Sequence, residues 1–320
     1  MQNDTHCTPS GLFRLPRLTQ AQAPLTQAVE VVNERGEREH IHIPAERALT
    51  VYVDKRELVT LMTLGAHPEW LVLGYLRNQR LLASVHDIDS ITVDWSVNAA
   101  AVKTRSGIDH IEERTASKVV TTGCGQGSVF GGLMDEVDRI HLPPAQLTQA
   151  QLYGIVNAIR VKESTYKSAG SVHGCALFQG EELLIFVEDV GRHNAIDTIA
   201  GWMWMQPGAG DAGLPGADKV FYTTGRLTSE MVIKSAQMGV PIVVSRSGIT
   251  QMGHALAQQL GLCAIGRATN RRFLCYSAPE RLRLQPALAE PAALPGSDQP
   301  RTGAACTPAP GLKHLAPGPL

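Results

Sequence analysis

The chain has 320 residues, 43% of them hydrophobic, with 29 Lys+Arg set against 30 Asp+Glu for a formal net charge of −1. That length buries a sizeable core in one large domain or two modest ones, and the even balance excludes the basic excess of a general nucleic-acid binder. No run approaches the ~18 apolar residues of a membrane span, and the polar stretch Met1–Gly11 leads into no apolar signal core, so a cytoplasmic chain is expected.

Residues 1–26 are polar and mixed and read as a loose arm. A β-rich region is expected over 27–145. Ala28–Val32 and Glu39–Ile43 flank Asn33-Glu34-Arg35-Gly36 as a hairpin, and Leu49–Val53 makes a further strand. Pro68 opens a helix on which Trp70, Leu71, Leu73 and Leu76 follow with helical spacing. Ile91–Val97 and Ala101–Arg105 read as an antiparallel pair. An α/β domain is expected over 146–283. Thr148 caps a helix carrying Leu152, Ile155, Val156 and Ile159 on one face. Cys175–Phe178 and Leu183–Val187 form a hairpin, and Asn194–Met205 a helix. Gln206–Ala217, rich in Pro and Gly, reads as a flexible insertion. From Lys219 strands and helices alternate: Val220–Thr223, Thr228–Met238, Ile242–Ser245, Thr250–Leu260 and Leu262–Ile265, closed by Arg272–Tyr276. Such alternation implies right-handed crossovers and locally parallel strands. The Pro/Ala-rich tail over 284–320 is expected to be disordered.

Chemistry concentrates in a few stretches. Thr121–Gly132 sets Cys124 among five glycines, just after Val119-Val120. Glycines let backbone approach a ligand closely, and free N–H groups favour the thiolate, the reactive form of cysteine. The same stretch also suits a surface turn with an incidental thiol. The other cysteines, Cys7, Cys175, Cys263, Cys275 and Cys306, are scattered without finger-like spacing, which argues against structural zinc or a disulfide framework. Cys175, Cys263 and Cys275 fall in predicted strands as small core residues.

Three loops at predicted strand ends pair a glycine with an arginine: Glu188–Asn194, Thr223–Glu230 and Ser245–Gly248. That combination binds phosphate through N–H groups and guanidinium, and each loop also suits plain capping by Asp189, Asn194 or Thr228. A basic turn, Gly266–Arg272, follows the strand Leu262–Ile265 and suits a pyrophosphate or a solvated surface. His173 stands among glycines before a strand. Phe130 replaces the third glycine of a dinucleotide fingerprint, and the zinc-deaminase signature is absent.

These stretches resemble the formate dehydrogenase accessory sulfurtransferases, the FdhD family. Glu188-Asp189-Val190-Gly191-Arg192-His193-Asn194-Ala195-Ile196-Asp197 is similar to its E-D-V-G-R-H-N-A-x-D signature. Thr224-Gly225-Arg226 with Ser229-Glu230-Met231-Val232, Lys234 and Ala236 resembles its S-G-R…S-x-E-M-V-x-K-A segment, and Gly170–His173 its G-x-x-H segment. The resemblance covers residues 28–283. It implies an α/β, cytidine deaminase-like three-layer mixed sheet with flanking helices beside a smaller N-terminal antiparallel region, in a homodimer without the deaminase zinc. It implies a cytoplasmic sulfurtransferase that takes sulfane sulfur from a cysteine desulfurase and passes it to the molybdenum bis(molybdopterin guanine dinucleotide) cofactor of formate dehydrogenase. The persulfide cysteine maps onto Cys124, and the cofactor-binding segment onto Arg267, Ala268, Thr269, Asn270, Arg271 and Arg272. One departure stands out: where the family loop reads C-G-x-C-G, this chain has Gly127 in place of the second cysteine. That keeps open a cofactor-binding chaperone without sulfur chemistry. A hydrolase with Cys124 as nucleophile and His173 or His193 as base is a third reading.

Overall fold

Alternation of apolar side chains builds two sheets, and a helix pair ties them together. The computed structural model describes residues 14–108, 111, 119–120, 127–128, 137–162, 164–207 and 213–289. Both sheets lie in one compact unit that runs to Ala289.

The expected hairpin forms as β2 (Thr26–Val32) and β3 (Arg38–Pro44). Its turn is held by the Asn33 side chain, which accepts from the N–H groups of Arg35 and Glu37. The next strand, β4 (Arg47–Val53), leaves that ribbon for a five-stranded sheet of order β1-β6-β7-β4-β5. Its partners are β1 (Arg17–Leu18), β5 (Arg56–Thr63), β6 (Ile88–Asp94) and β7 (Ala99–Thr104). Leu49, Val51, Leu61, Ile91 and Val102 pack beneath α1 (Pro68–Asn78).

The arm expected to be loose over 1–26 is tied down over its described residues. β1 pairs in parallel with Ser90 and Ile91 of β6, and the buried Glu69 carboxylate accepts from the Thr19 hydroxyl and the Ala21 N–H, both at 2.7 Å. Desolvating that carboxylate is tolerable because it is hydrogen-bonded.

The second sheet has order β12-β11-β13-β14-β15-β16. It comprises β11 (His173–Gln179), β12 (Glu182–Asp189), β13 (Lys219–Thr223), β14 (Ile242–Ser245), β15 (Cys263–Thr269) and β16 (Arg272–Cys275). β13, β14 and β15 run parallel, as the alternation predicts, and β11 is antiparallel to both its neighbours. Side chains split by parity. Cys175, Leu177, Phe221, Val243 and Ala264 face α4 (Arg192–Met205), α5 (Ser229–Gln237) and α6 (Gln251–Leu260). Ala176, Phe178, Val220, Tyr222 and Val244 face α2 (Gln149–Val161). The result is a mixed α/β fold in three layers. A short β10 (Leu147–Thr148) pairs with β17 (Leu282–Arg283) behind it, and α3 (Thr165–Ala169) precedes β11.

α1 and α4 join the sheets. A Cβ on Gly74 would lie 1.6 Å from the Asp197 carbonyl oxygen, and one on Gly201 1.9 Å from that of Trp70. The two backbones therefore touch, and only glycine fits at either contact.

Two segments expected to be unstructured are held over their described residues. Within Gln206–Ala217, Leu214 donates its N–H to the Met203 carbonyl and packs on the core; residues 208–212 lie outside the described residues. Past Arg283, Gln285 donates its N–H to the Gln149 side chain and accepts from the Ala150 N–H, so order runs to Ala289. The remaining tail, 290–320, lies outside the described residues. Among those described, no helix is long and apolar enough to cross a membrane.

Candidate functional site

The carboxyl ends of β12, β13, β14 and β15 and the amino end of β11 share one edge of the sheet. Ligands bind at such edges in open α/β sheets. The three glycine–arginine loops and His173 all meet there, as their expected positions at strand ends require.

The loop after β12 acts as a clamp. Asp189 is 3% exposed. It accepts from the Thr63 hydroxyl at 2.5 Å, the Leu64 N–H at 3.1 Å, the Gly191 N–H at 3.1 Å and Asn194 Nδ2 at 2.8 Å. Asn194 also donates to the Met62 carbonyl. Burial pushes the Asp189 pKa up against those four donors. Neither residue caps α4 through its side chain: the N-cap is Gly191, with no side-chain bond. These side chains pin the loop to the N-terminal sheet instead.

Behind the loops lies a buried ion network. Lys234, 0% exposed, donates to Asp197 at 2.8 Å and pairs with Glu230 at 3.2 Å. Asn78 of α1 donates to the other Asp197 oxygen at 2.6 Å. Burial alone would lower the Lys234 pKa, but the two carboxylates outweigh it and hold it at about 12. His193 Nε2 lies 3.4 Å from Glu230, outside hydrogen-bond geometry. Burial drives the His193 pKa to about 3, so the ring is neutral. Burial, then Arg192 and Arg226, lower the pKa of His173 as well.

On the α2 side of the edge is a cavity of about 300 Å³, lined by Lys162, Tyr166, Phe186, Tyr222 and Arg246 among others. The segment Arg267–Arg272, expected as a turn beyond a strand ending at Ile265, is instead the end of β15, a two-residue turn and the start of β16. Strand alternation then divides it. Ala268, Thr269 and Asn270 border the cavity, whereas Arg267, Arg271 and Arg272 face a second concavity of about 630 Å³ with Tyr153 and Phe273. The six residues do not converge on one pocket; Thr269 alone borders both.

Val119–Val120 and Gly127–Ser128 pair as the antiparallel strands β8 and β9. Cys124, between them in sequence, lies outside the described residues, as do Cys7 and Cys306. Cys175 is fully buried and donates to the Thr223 hydroxyl, and burial pushes its pKa to about 12, leaving it an inert core thiol. Cys263 is likewise buried, while Cys275 is half-buried with its sulfur 3.9 Å from that of Cys263. Among the described residues no cluster of His, Cys, Asp and Glu is arranged to hold a metal.

Sequence reasoning placed Asp197 and Lys234 in the two signature segments but gave neither a structural role, and it did not foresee the Gly74–Gly201 contact. Beside those motifs, the further signal was a charge set among apolar neighbours on each helix: Asp197 between Ile196 and Ile199, Lys234 between Ile233 and Ala236.

Residues 44–283 match the model of the FdhD/NarQ family. The sulfur carrier protein FdhD of Bacillus subtilis (strain 168) is 29% identical over 253 residues, spanning 78% of this chain and 94% of that protein. The sulfur carrier protein FdhD of Halalkalibacterium halodurans is 26% identical over 268 residues, 83% of this chain and 97% of its own. A crystal structure of a candidate formate dehydrogenase accessory protein from Desulfotalea psychrophila superposes with a TM-score of 0.64 at 25% identity, covering 81% of this chain and 100% of that one. The matched span takes in nearly all of both sheets and the whole strand-end edge: this chain belongs to the FdhD/NarQ family.

Proposed function

We propose that the chain is a cytoplasmic sulfur carrier in formate dehydrogenase maturation, with Cys124 as the persulfide-bearing thiol. The observation that carries this reading is that relatives matched over nearly their whole length are sulfur carriers. The thiol chemistry supports it. Cys175 and Cys263 are sealed in the core, which removes them as carriers, whereas Cys124 falls in sequence within the glycine-rich stretch between β8 and β9.

In the loading step the Cys124 thiolate attacks the terminal sulfur of a persulfide on a cysteine desulfurase. The donor's S–S bond breaks, its thiolate leaves, and Cys124–S–SH remains. The acceptor is the molybdenum bis(molybdopterin guanine dinucleotide) cofactor, bound as substrate before its insertion into formate dehydrogenase. Its pyrophosphates need guanidinium and N–H donors, which Arg246 supplies at the cavity and Arg267, Arg271 and Arg272 at the neighbouring concavity. The working unit is a homodimer that binds neither nucleic acid nor membrane.

The presence of Gly127 favours a second reading, a chaperone that delivers the cofactor without sulfur chemistry. Intact-protein mass spectrometry after incubation with a cysteine desulfurase and L-cysteine separates the two. The expected result is a gain of one sulfur atom in the wild type and none in Cys124→Ala. No gain in either, with an active desulfurase, leaves the chaperone.

A further inference from the structure

Among the described residues, Cys263 and Cys275 are the two thiols that lie side by side. Strand alternation puts them there. β15 and β16 run antiparallel with Ile265 opposite Cys275. Cys263, two residues before Ile265, therefore points to the same face as Cys275. Both belong to the layer packed on the α2 side, with their sulfurs 3.9 Å apart.

A diagonal pair of this kind is bridged only where the backbone can yield, and this one stands at the end of its ladder. The Tyr276 N–H still donates to the Ala264 carbonyl. At Ser277 the hydroxyl takes over, donating to the Leu262 carbonyl and accepting from the Ala264 N–H. β16 is also the last strand of its sheet, so no further strand resists a shift. The sulfurs have to close from 3.9 Å to the ~2.05 Å of a disulfide.

The two thiols are unequal, as exchange chemistry requires. Cys263 is 0% exposed, whereas Cys275 is half-buried. The Cys275 thiol donates to the Ser277 carbonyl at 3.4 Å, leaving its sulfur to accept from the Cys263 S–H. That bond holds the Cys275 pKa at about 7, below the ordinary thiol value, and raises that of Cys263. A thiol whose pKa lies near the ambient pH is the best attacking group in disulfide exchange. Cys175, by contrast, is buried alone against Thr223.

We propose that Cys263 and Cys275 form a reversible dithiol–disulfide couple, a modification site that fastens β15 to β16. The oxidant is a low-molecular-weight disulfide. The Cys275 thiolate attacks one of its sulfurs, its S–S bond breaks, and one thiolate leaves, giving a mixed disulfide on Cys275. Cys263 then loses its proton to solvent and attacks the Cys275 sulfur, expelling the second thiolate. Two protein thiols are oxidised by two electrons and one small disulfide is reduced to two thiols. The bond would close the hairpin at the end opposite its turn, Asn270-Arg271. None of this depends on the sulfur-carrier reading.

The test is a non-reducing tryptic map of the full-length wild type after treatment with glutathione disulfide and a quench with N-ethylmaleimide. Trypsin cuts after Arg246, Arg267, Arg272 and Arg281, so the two cysteines fall on separate peptides, 247–267 and 273–281. A glutathione adduct on 273–281 is expected first. It gives way to a species joining the two peptides, about 2 Da lighter than their sum, which dithiothreitol separates. In Cys263→Ala the adduct on 273–281 persists, and in Cys275→Ala neither peptide is modified. Amide hydrogen exchange in β15 and β16 slows in the oxidised wild type. An adduct that never yields the joined species, a first adduct on 247–267, or no reaction at either cysteine overturns the proposal, as does joining that leaves the exchange unchanged. Should either variant fail to fold, the wild-type time course decides.

Discussion

The two sheets bury different things. Beneath the N-terminal sheet the core is aliphatic and aromatic, and Glu69 is the sole charged side chain buried among the described residues of that sheet and its helix. Around the six-stranded sheet, Glu188, Asp189, Arg192, His193, Asp197, Lys219, Glu230 and Lys234 are all buried. Buried charge is weak evidence for stability, since desolvation offsets much of the ion-pair gain. Its confinement to one region, most of it between α4, α5 and the strand ends, marks where the chain departs from what packing alone would choose. The N-terminal sheet acts as the rigid backing, and Asp189, Asn194 and Asn78 are the polar pins that fix the site loops to it.

That contrast can be broken most severely at Lys234. Replacing it by Ala leaves Asp197 and Glu230 facing each other without a cation, and a loss of about 3–5 kcal/mol is expected by chemical denaturation. Adding Asp197→Asn should recover at least about 1 kcal/mol, because one stranded charge is removed. If the double variant is no better than the single one, the network does not govern this region. Next in size is Gly201→Ala. Its methyl meets backbone atoms of α1 at 1.9 and 2.8 Å, and backbone cannot yield as a side chain can. About 1–3 kcal/mol should be lost, despite the roughly 1 kcal/mol that alanine gains over glycine in helix propensity. An unchanged midpoint would mean the two helices can separate without cost, so that the N-terminal sheet is no rigid backing.

Much of this was legible in the sequence. Short apolar runs such as Val220–Thr223, buried on both faces, and the cap at Thr148 placed their elements within a residue or two. β5 was missed because its turn, Asp54-Lys55, takes positive φ values of 46° and 73° with no glycine to announce it. β15 was cut short at Ile265 because Gly266 and Arg267 read as a turn, whereas Arg267 at φ 50° forms an irregularity within a continuing strand. The edge that gathers the three loops was legible from topology. Which arginines share a pocket was not, since that depends on the side to which each β15 residue points. The clamp through Asp189 joins residues 126 apart in sequence, a pairing that no local pattern records.

Acid sensitivity sharpens the contrast further. The folded pKa of His193, about 3, lies below the ordinary histidine value of 6.5. Its contribution is therefore complete above pH 6.5 and falls as the pH drops towards 3, because the unfolded chain takes up a proton that the folded chain refuses. The limiting slope is about 1.4 kcal/mol per pH unit. Between pH 6.5 and 5, stability of the wild type should fall more steeply than that of His193→Gln. Parallel curves would mean that the folded ring accepts the proton, and that the region is less dry than its burial implies.

The smallest expected effect bears most directly on the site. Thr250 and Thr228 occupy the same position at the start of neighbouring helices, α6 and α5. Removing the Thr250 hydroxyl breaks a bond to the Gly253 N–H, so Thr250→Ala should cost about 1 kcal/mol. The Thr228 hydroxyl bonds to nothing described, and Thr228→Ala deletes a buried polar atom that folding had desolvated without return. Its effect on stability should be within about 0.5 kcal/mol of zero and of either sign. An equal loss at both positions would show that the Thr228 hydroxyl caps α5 in solution, and the asymmetry between capped and open helix entries would vanish.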